Sequence, residues 1–187
     1  MTRRVSAGIL LYRRRSGKLE VLLAHPGGPY FVNRNMGHWT IPKGEPGDED
    51  DLFMAASREF NEETGYVLAA VASRPDARPI PLGTVTQASG KVVHAWAVEG
   101  DLDEAGASSN TFEMNWPPGS SRLEVFPEID RVAWFPLLEA RRRANRSQSA
   151  FVERLDAALR DAGEPGEAPA DAPGAAPRAE APQADRP

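Results

Sequence analysis

The stretch from Leu52 to Thr64 constrains this chain more than any other. Placed on a helix, Leu52, Phe53, Ala56 and Phe60 form one apolar stripe suited to docking on a sheet. Glu59, Glu62 and Glu63, at i, i+3 and i+4, gather on the flank of that stripe, and Ala55, one turn earlier, lies among them and leaves space in front. Gly65 follows where a left-handed residue closes a helix. Like charges at this spacing cost an isolated helix roughly a few tenths of a kcal/mol per pair. Two of them also sit at the unfavourable end of the helix dipole. Local stability given up in this way marks a functional site.

Such a cluster becomes favourable when a hard divalent cation sits among the carboxylates. Mg²⁺, with Mn²⁺ as the alternative, takes oxygen ligands and bridges protein carboxylates to substrate phosphates. Gly44, Pro46 and Gly47 let the preceding loop fold back over the helix start and offer backbone groups. Arg58, beside the first glutamate, can pin a carboxylate with its guanidinium fork.

Around this helix the pattern alternates between strand and helix. Val5 to Tyr12 and Leu19 to Ala24 predict a hairpin turning at Ser16-Gly17, and Trp39 to Ile41 a short strand halted by Pro42. Pro81 to Gln87 and Lys91 to Val98 predict a second hairpin. Arg131 to Phe135 predicts a last strand, and Leu137 to Ala144 and Phe151 to Ala162 terminal helices. Asp101 to Pro127, rich in Ser, Pro and Asn, reads as a long irregular loop of the kind that carries function. The order predicts an α/β (α+β) sandwich built on a mixed β-sheet between helices.

Gly163 to Pro187 is different material: six prolines, eight alanines, and no aromatic, Leu, Ile, Val or Met. It lacks the apolar surface to offset the entropy of ordering, which predicts a disordered tail, residues 163–187, after a folded domain, residues 1–162. The chain of 187 residues has no cysteine and a net charge of −5. Thiolate metal sites and disulfides are thereby excluded, and the acidic balance argues against a nucleic-acid partner. No apolar run approaches a bilayer span, and Val5 to Tyr12 ends at Arg13-Arg14-Arg15 without a small-residue cleavage site. These features predict a soluble, cytoplasmic protein with no membrane partner; they carry no signal of oligomeric state.

The segment from Gly44 to Tyr66 resembles the Nudix box, G-x5-E-x7-R-E-U-x-E-E-x-G-U with U apolar. Gly44, Arg58, Glu59, Phe60, Glu62, Glu63, Gly65 and Tyr66 match, while Asp50 stands in the slot of the first glutamate. The lead-in Trp39 to Lys43, the opening strand and the Glu128 to Phe135 segment extend the likeness over most of Val5 to Arg143. The resemblance implies the Nudix fold and hydrolysis of a nucleoside diphosphate linked to another moiety, a small-molecule nucleotide substrate. It implies metal ligation by Glu59, Glu62, Glu63 and the Lys43 carbonyl, and a carboxylate oriented by Arg58. Catalytic roles are expected of Glu59, Glu62, Arg58 and Glu128, and substrate contacts of Lys43 and Gly44.

Glu128, six residues before Trp134, resembles the metal-reaching glutamate of asymmetrical dinucleoside tetraphosphate hydrolases; Glu113 is a weaker candidate for the same role. That subgroup makes a dinucleoside polyphosphate the expected substrate, with triphosphate pyrophosphohydrolysis and a non-catalytic nucleotide-binding module as alternatives. Ile129 and Val132 replace the subgroup's His and adenine-stacking Tyr, so stacking would fall to Phe112, Trp116, Tyr30 or Phe31. His94 reads as an interior, hydrogen-bonded histidine, His25 and His38 as flanks of a loop near the site, and Arg141 to Arg143 with Arg146 as a solvated helix end.

Overall fold

The computed structural model describes residues 4–47, 51–74 and 78–163. The expected tail therefore lies outside the described residues, apart from Gly163, and so does Asp50.

The opening hairpin forms as its pattern predicts. Strands β1 (Val5–Arg15) and β2 (Lys18–Pro26) pair antiparallel around Ser16 and Gly17, both at positive φ as a tight hairpin turn requires. β3 (Lys43–Gly44) pairs with β1 just past Pro42, laying the start of the Gly/Pro loop on the central strand. The second hairpin, β4 (Ile80–Thr86) and β5 (Val92–Glu99), joins the sheet through a parallel β1–β5 ladder. A buried central β1 explains its near-continuous apolar run.

Helix α1 (Leu52–Thr64) has the predicted bounds. Asp51 caps its start, accepting from the N–H groups of Phe53 and Met54 at 2.9 and 3.3 Å, and Gly65 ends it at φ 78°. The short α2 (Leu68–Val71) was not anticipated. Trp39 to Ile41 forms no strand: Thr40 bridges Ala24 and Trp39 bridges Ala144, two isolated contacts.

Asp101 to Pro127 is not irregular throughout. After a 3₁₀ turn at Glu104–Gly106, β6 (Thr111–Asn115) and β7 (Leu123–Pro127) form a separate two-stranded hairpin. Its strands are short, and the Pro/Gly/Ser-rich turn between them masked the alternation. β8 (Ile129–Pro136) then closes the main sheet, ordered β4-β5-β1-β2-β8.

Two apolar clusters sandwich that sheet. Ala55, Ala56 and Phe60 of α1 pack with Ile9, Leu22, Val132 and Trp134 on one face. On the other, α3 (Leu137–Arg143) and α4 (Ser149–Asp161) bring Leu137, Phe151 and Leu155 against Leu10, Leu23 and Trp39. This is the expected mixed sheet between helices. Ala55 is fully buried, so it fills the core rather than leaving room before the glutamates. Among the described residues, no helix is long and apolar enough to cross a membrane.

Candidate active site

Three pieces of chain meet on the α1 face: the β3 strand with the loop after it, the flank of α1, and the turn entering β8. Burial of Ala55, Ala56, Phe60 and Thr64 fixes the rotation of α1 and so turns Glu59, Glu62 and Glu63 toward β3.

Glu63 is held from the strand side, where the backbone N–H of Lys43 donates to its Oε2 at 3.0 Å. Burial pushes its carboxyl up to about 7; the charge and N–H of Lys43 pull the other way, while Glu59 and Glu128 add repulsion. Glu59 is raised by the same cause, burial, against the opposing attraction of Arg58, with Glu62 and Glu128 again repelling. Glu128 thus shares one electrostatic neighbourhood with both box glutamates, although some 65 positions separate it from them in the chain. The Lys43 ammonium is lowered by desolvation, opposed by attraction to Glu63 and Glu59.

Gly44 is where the Gly/Pro loop and helix α1 touch. A Cβ there would lie 1.8 Å from Glu59 Oε2, so only glycine admits the carboxylate. Arg58 ties the flank together. Its Nη1 donates to Glu59 Oε1 at 2.8 Å and to both Glu62 oxygens at 3.1–3.2 Å, and its Nη2 to the Glu45 carbonyl at 3.0 Å. Glu45 is held in turn by Arg4 and Lys91, each at 3.1 Å. Sequence reasoning missed this Glu45 hub; its one signal was an acid directly after Lys43-Gly44.

Other expectations separate from this cluster. His25 is fully buried beside Trp39 on the opposite face of the sheet, not near the loop's phosphate-facing side. Alternation along β2 put it there, since Leu22 and Ala24 already face α1. His94 is half-buried rather than interior. Arg141 and Arg143 pair with Asp156 and Glu139 instead of standing solvated. Glu113 projects from the exposed side of β6. Of the aromatic candidates, Tyr30 and Trp116 meet edge to face at 5.4 Å, and Phe112 packs on Phe126. Val132, in the place of the expected Tyr, is buried in the core. An apolar cleft lined by Phe53, Ser57, Arg58, Asn61, Leu68 and Val98 opens beside α1, with Arg58 at its boundary with the carboxylates.

The donor set suits a hard cation: oxygen atoms throughout, with two carboxyls whose ionisation burial opposes. Among the described residues, no three acidic or imidazole side chains already surround a common point. Arg58 donates to Glu59 and Glu62 while the Lys43 N–H donates to Glu63, so a cation held by these oxygens would compete with Arg58 for them.

A 58-residue part of the chain, 31% of its length, is 40% identical to the asymmetrical bis(5′-nucleosyl)-tetraphosphatase of Caenorhabditis elegans; the match spans 38% of that relative. The fold is similar to the crystal structure of a C. elegans Ap4A hydrolase binary complex, with a TM-score of 0.59 and 22% identity over 83% of this chain and 98% of that one. It is also similar to the NUDIX domain of Shewanella oneidensis NrtR complexed with ADP ribose, with a TM-score of 0.57 and 16% identity over 85% of this chain and 90% of that one. Together with the α1 flank and its strand-held Glu63, the match of the NUDIX domain model to residues 2–155 establishes that this chain belongs to the Nudix family.

Proposed function

We propose that the chain is a divalent-cation-dependent pyrophosphohydrolase. It cleaves a phosphoanhydride bond in a nucleoside diphosphate linked to another moiety, with a dinucleoside polyphosphate as the preferred substrate. The observation that carries this reading is the electrostatic gathering of Glu59, Glu63 and Glu128, with burial acting against the charge of the first two. Four carboxylates against the two cations Lys43 and Arg58 leave an excess of negative charge that positive charge arriving with the substrate relieves. The partial match to a tetraphosphatase supports the choice of substrate.

Glu59, Glu62, Glu63 and the Lys43 carbonyl would hold Mg²⁺ or Mn²⁺, with Glu128 completing the set. When bound, the cation neutralises the polyphosphate and makes water more acidic. The chain's own groups do the rest. Gly44 lets the loop backbone approach closely, and the Lys43 ammonium supplies a point charge for a phosphate oxygen. Arg58 orients Glu59 and Glu62, and a carboxylate of the set, Glu59, Glu62 or Glu128, takes the proton of the attacking water as it adds in line to phosphorus. The catalytic unit is residues 1–162.

Incubation with Mg²⁺ and a nucleotide panel, read by product chromatography, tests the proposal. ATP with AMP from diadenosine tetraphosphate supports the tetraphosphatase reading, whereas pyrophosphate with a monophosphate from a triphosphate would redirect it. Glu62→Gln should abolish turnover. Tight nucleotide binding with no hydrolysis of any panel member would replace the enzyme with a sensor.

A further inference from the structure

Asp130 is the extra residue of a β-bulge. Strand β2 pairs His25 with Arg131 and then Pro26 with Ile129, which leaves β8 one residue longer. Side-chain parity says the same. Val132 and Trp134 face α1, so unbroken alternation would put Asp130 with them, yet it is Ile129 that packs there. The leftover Asp130 turns to the other face, where its Oδ1 lies 2.8 Å from Nδ1 of the fully buried His25. His25 Nε2 meets the carbonyl oxygen of Arg34, and its ring packs edge-on against Trp39 at 5.1 Å. Both ring nitrogens are therefore spent on oxygen acceptors. From the solvent side, Arg131 Nη1 reaches Asp130 Oδ2 at 3.3 Å while its guanidinium lies over Trp39.

The segment so anchored runs directly into Glu128. The Gly27 N–H donates to the Glu128 carbonyl at 2.8 Å, and the Glu128 N–H to the Asn110 carbonyl at 2.8 Å. A Cβ on Gly27 would fall 2.0 Å from the Pro127 carbonyl oxygen, so the close approach that makes this contact depends on glycine. Both backbone bonds of Glu128 thus lie one or two residues from the bulge. Bulges beside active sites re-aim side chains.

We propose that His25 and Asp130 are positioning residues for Glu128: the fully buried His25 and the partly exposed Asp130 together hold the bulge that sets where the Glu128 side chain leaves the sheet toward Glu59 and Glu63. The inference rests on the catalytic role proposed for Glu128. His25 acts at a distance, through Asp130 and the backbone, and contacts no substrate.

The test compares full-length wild type, Asp130→Ala, Asp130→Asn, Glu128→Gln and the Asp130→Ala/Glu128→Gln double variant, all with Mg²⁺ and diadenosine tetraphosphate. Asp130→Ala should lower kcat about 10- to 100-fold, as loss of a supporting partner does, with KM little changed. Asp130→Asn keeps an oxygen acceptor for His25 and should recover most of that loss. In the Glu128→Gln background, Asp130→Ala should cost nothing more, because its effect passes through Glu128. Hydrogen exchange supplies a readout independent of turnover: the Gly27 amide should lose protection in Asp130→Ala and keep it in Asp130→Asn. Equal losses in both backgrounds, or unchanged Gly27 protection, would overturn the positioning role while leaving Glu128 in the machinery. A Glu128→Gln enzyme at the wild-type rate would instead overturn the role of Glu128 itself, and the positioning role with it.

Discussion

Lys43 and Glu63 oppose each other's burial. The Lys43 N–H donates to Glu63 Oε2 at 3.0 Å, and their side-chain charges attract, yet desolvation still outweighs both for the carboxyl and leaves it at about 7. The strand that presents the loop and the helix that carries the glutamates are thereby coupled through one titrating group.

That coupling predicts a pH dependence of stability. Glu63 has its folded value raised from the ordinary 4.5 to about 7, and Glu59 is raised in the same direction. The proton bound by the folded state contributes stability that is full below about 4.5 and lost as pH rises through about 7. In EDTA, the Tm should fall between about pH 5 and pH 7.5, Glu63→Gln should flatten the fall, and Mg²⁺ should reverse it. Thermal scans across pH check this; an unchanged slope in Glu63→Gln would refute the assignment.

Gly44→Ala should inactivate with little cost to the fold. The added methyl meets the Glu59 carboxyl, the end of a flexible side chain, which swings away rather than breaking β3. Turnover should drop about 100-fold or more, on the scale of a lost catalytic carboxylate, while Tm moves by a few degrees. Steady-state kinetics beside thermal melting would separate the two effects.

Arg58 joins Glu59, Glu62 and the Glu45 carbonyl through three directions of one guanidinium. Arg58→Lys cannot reproduce that fork and should cost about 10- to 100-fold in kcat. Because the side chain is 41% exposed, stability should change by less than about 1 kcal/mol. Calorimetric Mg²⁺ titration of the variant should show altered affinity, since release of the carboxylates no longer breaks the same bonds.

Phe60, fully buried under α1, sets the helix on the sheet. Phe60→Ala should destabilise by about 3–5 kcal/mol and reduce activity in parallel, through loss of folded protein. Urea unfolding reports the first, and activity per folded molecule should stay within a few-fold of wild type.

A chain ending at residue 162 should keep the full-length kcat and KM. A large loss on truncation would place part of the functional unit in residues 163–187.

The carboxylate cluster, the α1 bounds and both main-sheet hairpins were legible because their signals are periodic and local. Thr64 and Gly65 end the helix where the cap requires, whatever lies around it. The β6–β7 hairpin was not legible, since five-residue strands around a Pro/Gly/Ser-rich turn carry little alternation. His25 was misplaced because its loop neighbours suggested a site, while the alternation of Leu22 and Ala24 had already turned it away.

The sequence by itself determined which side chains could serve a cation: their type, their helical spacing and the glycine before them are properties of adjacent residues. Only the tertiary structure decided that Glu128 lies within electrostatic reach of Glu59 and Glu63, how far burial raises Glu63, and that His25 sits opposite a bulge in β8. Those outcomes depend on strand register and on exclusion of water between distant segments, and neither is encoded in any one stretch of chain.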